Sequence, residues 1–297
     1  MIAAGLVAVV FAAGAATVVL SRPERARHAA PAPSAGAPGA GAPTGAAALA
    51  SAAAARQQAA AWVASQANPD AIVACDPAMC AALQARGVPA GRLLVLTPAR
   101  SDPLGSDLVV ATAAVRSQFG ARLAGVYAPV TVAVFGSGAT RIDVRTVAPD
   151  GAAAYLAALA TDIRARKTAG ALMLRNSHIH VAATVRAALA AGEVDPRLLV
   201  TLATLAHLQP LDITGFGGPG PGGSASAGAP LRSADITAAA AGSRHSASLQ
   251  ALMTILRAQR PPYSPSTLEI VRIPPIGNVL RIGYPVPSPL GLLGSGG

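Results

Sequence analysis

Residues 71–96, AIVACDPAMCAALQARGVPAGRLLVL, decide the fold class. The apolar run 71–74 has the length and composition of a short buried strand. Asp76 followed by Pro77 starts a helix, because the carboxylate caps unpaired amide groups and proline suits the first turn. Residues 78–86 continue that helix to a stop at Gly87, and 93–96 return as a second strand. Strand, helix and strand in this order make a βαβ-type unit of an α/β domain.

Outward from this unit, the Ala-rich segment 46–66 with Gln57, Gln58 and Trp62 predicts an opening helix that ends before Asn68-Pro69. Residues 108–112 predict a strand and 115–127 a helix. Segments 130–135 and 141–147 predict a hairpin around Gly136-Ser137-Gly138. Together these make a small Rossmann-like α/β domain over 46–149, bounded at Pro149-Asp150. The second domain, α+β over 150–285, opens with a helix capped by Asp150 that passes Lys167 and ends at Gly170. A strand is expected at 172–174, helices at 181–191 and 196–208, and a strand at 211–214. The stretch 215–230 is too rich in Gly and Pro to fold alone. An amphipathic helix at 249–259 stops at Pro261-Pro262, and 268–273 with 279–284 predict a C-terminal β-hairpin. Residues 286–297 are expected to form a flexible tail.

The 297 residues suffice for two domains that bury cores without metal or other cofactor. Apolar residues make up 52% and aromatics 3%, so the cores are aliphatic. The net charge of +10 is carried almost wholly by arginine, with Lys167 the single lysine, and residues 151–297 hold twelve basic against six acidic side chains. Such a face can attract anionic lipid or phosphate-bearing wall polymers. The arginines are scattered and lack an aromatic stacking platform, which argues against nucleic acid as a partner.

Residues 2–20 are apolar and uncharged, and as a helix would extend about 28 Å, close to a bilayer's hydrocarbon thickness. A transmembrane anchor over 1–21 is therefore expected, with a cleaved signal peptide as the alternative. Arg22, Arg25 and Arg27 after the run favour a cytoplasmic bulk by the positive-inside rule. The Pro/Ala/Gly-rich linker 22–45 favours export instead, because it has the composition of a flexible spacer. The reading adopted is a single-pass cell-membrane protein with the bulk of the chain extracellular.

Cys75 and Cys80 are the two cysteines. Their spacing puts one at a strand end and the other in the first turn of the next helix, which allows a disulfide; buried thiols or a reactive thiolate are the alternatives. No zinc site is expected, since a C-x4-C pair needs two further ligands. Gly136-Ser137-Gly138 leads into a strand and so reads as a turn, not a phosphate cradle. His178 and His180 would share one face of an extended segment, His207 sits near a helix C-terminus, and His245 falls in a loop. Ser233 and Ser246 lack the spacings of activated nucleophiles and read as turn or cap residues.

The stretches AWVASQANPDAIVACD (61–76) and VAVFGSGATRIDVRTV (132–147) resemble the soluble C-terminal extracellular domain of actinobacterial multi-spanning glycosyltransferases. That resemblance implies an envelope-facing location and no transferase activity, because catalysis there belongs to the membrane-embedded part. Residues 176–213, NSHIHVAATVRAALAAGEVDPRLLVTLATLAHLQPLDI, then PLRSADI (230–236) and VLRIGYP (279–285), are similar in order to envelope proteins related to zinc D-Ala-D-Ala carboxypeptidases. The resemblance implies a zinc site built from two histidines and an aspartate. Of these the aspartate is matched by Asp235, residues 224–234 contain no histidine, and Val279 and Arg281 stand in the final strand where the pattern has histidines. The expectation is a peptidase-like domain without zinc, hence no catalytic residue and no metal.

The function that follows is a non-catalytic envelope protein binding a cell-wall polymer or a partner membrane protein through a cleft around Arg232, Asp235 and Arg281, whose charges can pair with carboxylates or phosphates. The alternative is a cell-envelope hydrolase or an accessory to glycan transfer.

Overall fold

The structure, a computed structural model, describes residues 45–99, 102–218, 220, 222, 228–238 and 243–294. The anchor expected over 1–21 and nearly all of the 22–45 linker lie outside the described residues. Among those described, no helix is long and apolar enough to cross a membrane.

The first sheet has strand order β2-β1-β3-β5-β4. Its elements are α1 (Gly45–Gln66), β1 (Val73–Cys75), α2 (Pro77–Gln84), β2 (Leu93–Val95), β3 (Leu108–Ala111), α3 (Ala113–Phe119), β4 (Val130–Phe135) and β5 (Ile142–Thr146). β1 pairs in parallel with β2 and β3, while β5 runs antiparallel to β3 and β4. Every residue of β1 and β3 is buried, as a strand covered on both faces requires. One face carries α1 and α2, with Trp62, Met79 and Leu83 against Val73, Leu108 and Val144. The other carries α3 and the π-helical turn Leu123–Tyr127, with Val115, Phe119 and Tyr127 against Val109 and Ala111. The helix expected over 115–127 is thus two pieces, parted where Gly120 takes φ 54°. Thr112, expected to end a strand, caps α3 through its side-chain oxygen.

The turn at Gly136-Ser137-Gly138 joins β4 to β5, and glycine is required there. A Cβ on Gly136, at φ 65°, would lie 2.8 Å from the Thr140 carbonyl oxygen and 3.0 Å from Ala55 Cβ.

The second sheet has order β6-β7-β8-β10-β9. Its elements are α4 (Ala152–Arg175), β6 (Ile179–Val181), α5 (Ala183–Ala191), α6 (Pro196–Leu208), β7 (Leu211–Gly217), β8 (Ser233–Ala238), α7 (Ser243–Arg257), β9 (Thr267–Ile273) and β10 (Gly277–Gly283). β6 and β7 are parallel and the remaining pairs antiparallel. One apolar core joins α5, α6 and α7 to the inward residues Leu211, Ile213, Ile236, Leu280 and Ile282. The alternate positions carry Asp212, Asp235 and Arg281 to the opposite face.

Several sequence expectations are corrected in this half. Gly170 does not end α4, and the strand expected at 172–174 is the helix's last turn. Gly170 is buried where α4 meets α5: a Cβ there would lie 2.3 Å from the Leu189 carbonyl oxygen, so this glycine permits close packing. Asp150 is not the cap, because Gly151, at φ 89°, takes the cap position and closes a turn onto Ala148. The alternating segment 233–238 forms a central strand, β8, for which no strand was expected. Helix α7 begins at Ser243, not near 249, so His245 and Ser246 are helical and not in a loop.

The tail is not loose over its described part. Val286 is buried and bridges to Ala67, Ser288 Oγ donates to Asp195 Oδ2, and the Gly291 amide donates to Asp162 Oδ1. All of the first sheet precedes residue 150 and all of the second follows it, yet the described residues belong to one compact unit. The two sheets are tied together by the Ala67–Val286 bridge, by the Val134 amide donating to the Gly222 carbonyl, and by Arg232 donating to Gln66.

Candidate functional site

Cys75 and Cys80 form a disulfide, buried where β1 ends and α2 begins. Asp76 between them is occupied structurally: Oδ1 accepts the Ala78 and Met79 amides, and Oδ2 accepts the Thr112 hydroxyl.

Of the three residues expected to share a binding cleft, Asp235 and Arg281 come together and Arg232 contacts other partners. Asp235 on β8 lies directly opposite Arg281 on β10, whose Nε and Nη2 donate to the two carboxylate oxygens at 2.8 and 2.9 Å. Glu269, opposite Arg281 on β9, stands 4.0 Å away. The contacts to Asp235 and Glu269 hold the Arg281 guanidinium above its ordinary pKa. The pair is therefore a closed, two-pronged contact on the polar face of the sheet. Val279, in the neighbouring row, is fully buried.

Arg232, the residue just before β8, is 4% exposed and makes its contacts elsewhere. Its Nη1 donates to the Tyr284 carbonyl at 2.6 Å and its Nη2 to Gln66 Oε1 at 3.3 Å. Burial pulls its pKa down from 12.5 to about 10, partly offset by the field of Asp195. At neutral pH it is a buried cation.

Arg232 belongs to a polar seam between the two sheets that the sequence reading did not identify. Asp195 caps α6 and binds Arg197 through both oxygens, at 2.9 and 2.8 Å, with both side chains buried. Arg197 also donates to the Pro285 carbonyl and stacks 5.0 Å above the Tyr284 ring. The Tyr284 hydroxyl meets Thr201 at 2.7 Å and the Tyr263 carbonyl at 3.0 Å, and burial raises its pKa to about 12. On α4, Asp162 and Arg166 pair at i and i+4 inside the protein, and Arg166 donates to the Gly192 carbonyl at 2.6 Å. The spacings D-x-R and D-x3-R were visible in the sequence, but burial, which separates them from ordinary surface pairs, was not.

Two hollows meet at this seam. An open cleft of about 430 Å³ is lined by Leu104, Ser106, Asp107, Val147, Pro149 and Pro287, among others. Thr146, Tyr155, Ser288 and Leu290 form its inner wall and also line a second cavity of about 20 Å³, which reaches Asp162, Arg166 and Arg232. Burial raises the Tyr155 pKa, so its phenol stays neutral and can donate a hydrogen bond.

Among the described residues the histidines do not form a metal cluster. His178 Nδ1 lies 3.0 Å from the Ala206 carbonyl, His180 is exposed on β6 opposite Asp212, and His207 is exposed at the end of α6. Among the described residues no cluster of three His, Cys, Asp or Glu side chains could hold a metal. Ser233 sits on β8 beside Gly217, and Ser246 is exposed on α7. Comparison with known proteins finds no matching family model, no matching curated protein and no matching solved structure.

Proposed function

We propose that the chain is a membrane-anchored, envelope-facing, non-catalytic binding protein, and that the open cleft at the seam receives a segment of cell-wall glycan or its stem peptide. The observation that carries this reading is the cleft itself. Its wall mixes hydroxyls of Ser106, Tyr155 and Ser288 with the apolar surfaces of Leu104, Val147 and Pro149, which suits a chain of alternating polar and apolar groups. The Cys75–Cys80 disulfide supports the compartment, because such bonds persist outside the reducing cytosol. The pairing of Asp235 with Arg281 supports a non-catalytic role, since each is engaged by the other.

Part of this proposal is that residues 2–20 anchor the chain and that the first sheet, Rossmann-like in its parallel half, is akin to the extracellular domain of actinobacterial glycosyltransferases. The second sheet is then a peptidase-like frame whose Asp235 has exchanged a metal for an arginine. A partner membrane protein in the same cleft is the competing occupant.

Retention of the purified full chain on cell-wall fragments tests the binding. The expected result is capture of the wild type, weakened capture for Leu104→Trp, which narrows the cleft, and unchanged capture for Arg281→Ala. Failure of the wild type to be retained would overturn the wall-binding reading, and release of product from muropeptides would overturn the non-catalytic one. An alkaline phosphatase fusion at Ala60 is expected to be active in cells; an inactive one would refute the orientation.

A further inference from the structure

The charges buried at the seam do not balance. Asp162 pairs with Arg166 and Asp195 with Arg197, but Arg232 makes no ion pair among the described residues. Outside the described residues the sequence offers one acidic side chain, Glu24. The carbonyl and amide oxygens that Arg232 does reach take up two of the five N–H groups of a guanidinium. The field of Asp195, which is already paired with Arg197, compensates Arg232 only in part, and such a buried cation is costly, the usual remedy being a counter-charge within a few ångströms.

The inner cavity lies against this side chain and holds about 20 Å³, enough for one solute of water size or slightly more. Tyr155 also lines the cavity, with a phenol kept neutral by burial and hydrogen-bonded with Thr146. Asp162 also lines the cavity, but its oxygens already accept from Arg166 Nε and the Gly291 amide. Arg232 and Tyr155 thus provide donors around a space too small for a sugar or a phosphate.

We propose that this cavity is a binding site for one small monovalent anion, of the size of chloride or a formate-like carboxylate, held by Arg232 and Tyr155 at the seam between the two sheets. The bound anion neutralises the seam and so strengthens the junction that positions the cleft wall. The cavity and the open cleft share Thr146, Tyr155, Ser288 and Leu290 as lining, so the anion site adjoins the cleft, and its test uses salts alone without any cleft ligand.

The test is thermal unfolding of the full chain at fixed ionic strength, with sodium gluconate replaced stepwise by chloride, bromide or formate. Gluconate is too large to enter. The expected result is a saturable rise in Tm, about 4 °C at ten times the Kd, in wild type. The rise is expected to be absent in Arg232→Gln and reduced in Tyr155→Phe. The formate arm distinguishes a carboxylate group from a halide as the natural occupant. Should Arg232→Gln fail to fold, chloride-35 line broadening on the wild type gives the second reading, with excess broadening at one saturable site expected. Equal Tm in all four salts with no excess broadening would overturn the proposal, as would an anion effect that persists unchanged in Arg232→Gln.

Discussion

Replacing Gly170 with alanine separates two roles that this glycine could have. If it served only to weaken or end a helix, alanine would stabilise the protein by up to about 1 kcal/mol, the difference in helix propensity. The structure requires the opposite sign. The new Cβ would lie 2.3 Å from the Leu189 carbonyl oxygen and 2.9 Å from its carbon, so α5 must retreat by about 1 Å to reach ordinary contact. That retreat also strains the Arg166 bond to the Gly192 carbonyl, which caps the same helix and is 2.6 Å long. Overpacking costs about 1 to 3 kcal/mol, and weakening a buried charged hydrogen bond adds about 1 to 2 kcal/mol. After subtracting the propensity gain, the expected net loss is about 1 to 4 kcal/mol, or roughly 3 to 12 °C in Tm for a unit of this size. Circular dichroism during thermal and urea unfolding measures it. Gly125→Ala, where a Cβ would meet nothing within 4 Å, is the internal control and should leave stability unchanged or slightly raised. A Gly170→Ala protein as stable as wild type would refute the close approach of α4 to α5.

Removing the disulfide as Cys75→Ala with Cys80→Ala should cost about 2 kcal/mol, since the bridge spans a sequence separation of 5 and short loops gain least. Tm with and without reductant measures it, and a wild type indifferent to reductant would contradict a structural role. Asp195→Asn should destabilise by about 3 to 5 kcal/mol by leaving Arg197 buried without its counter-charge. The double variant Asp195→Leu with Arg197→Met should recover part of that loss in urea unfolding, and no recovery would count against the pairing. In alkaline titration followed by tyrosine absorbance, the last of the four tyrosines should ionise near pH 12 and vanish in Tyr284→Phe. The sign is fixed by burial: the unfolded chain gives up this proton from about pH 10, the folded one later. Tyr284 therefore contributes stability that is complete below pH 10 and lost as pH rises toward 12.

Local chemistry made the first half of the chain legible. Asp76-Pro77 caps a helix whatever surrounds it, and apolar runs between such signals are strands, so the βαβ unit at 71–96 could be read residue by residue. The helix Pro196–Leu208, with its Asp195 cap, followed from the same rule. The disulfide was among the readings that spacing allowed, because five residues span one strand end and one helical turn.

Only the tertiary structure decided which glycines stop an element and which admit a neighbour. Gly170 carries the same letter as Gly87, but what distinguishes it is the Leu189 carbonyl, nineteen positions later in the chain. Likewise Arg232 and Asp235 sit three residues apart, one just before β8 and the other on it, yet one enters a seam completed by Gln66 and Tyr284 and the other meets Arg281. Sequence fixes which side chains carry charge. Which charges meet depends on contacts between residues as much as 166 positions apart, and no local signal encodes them.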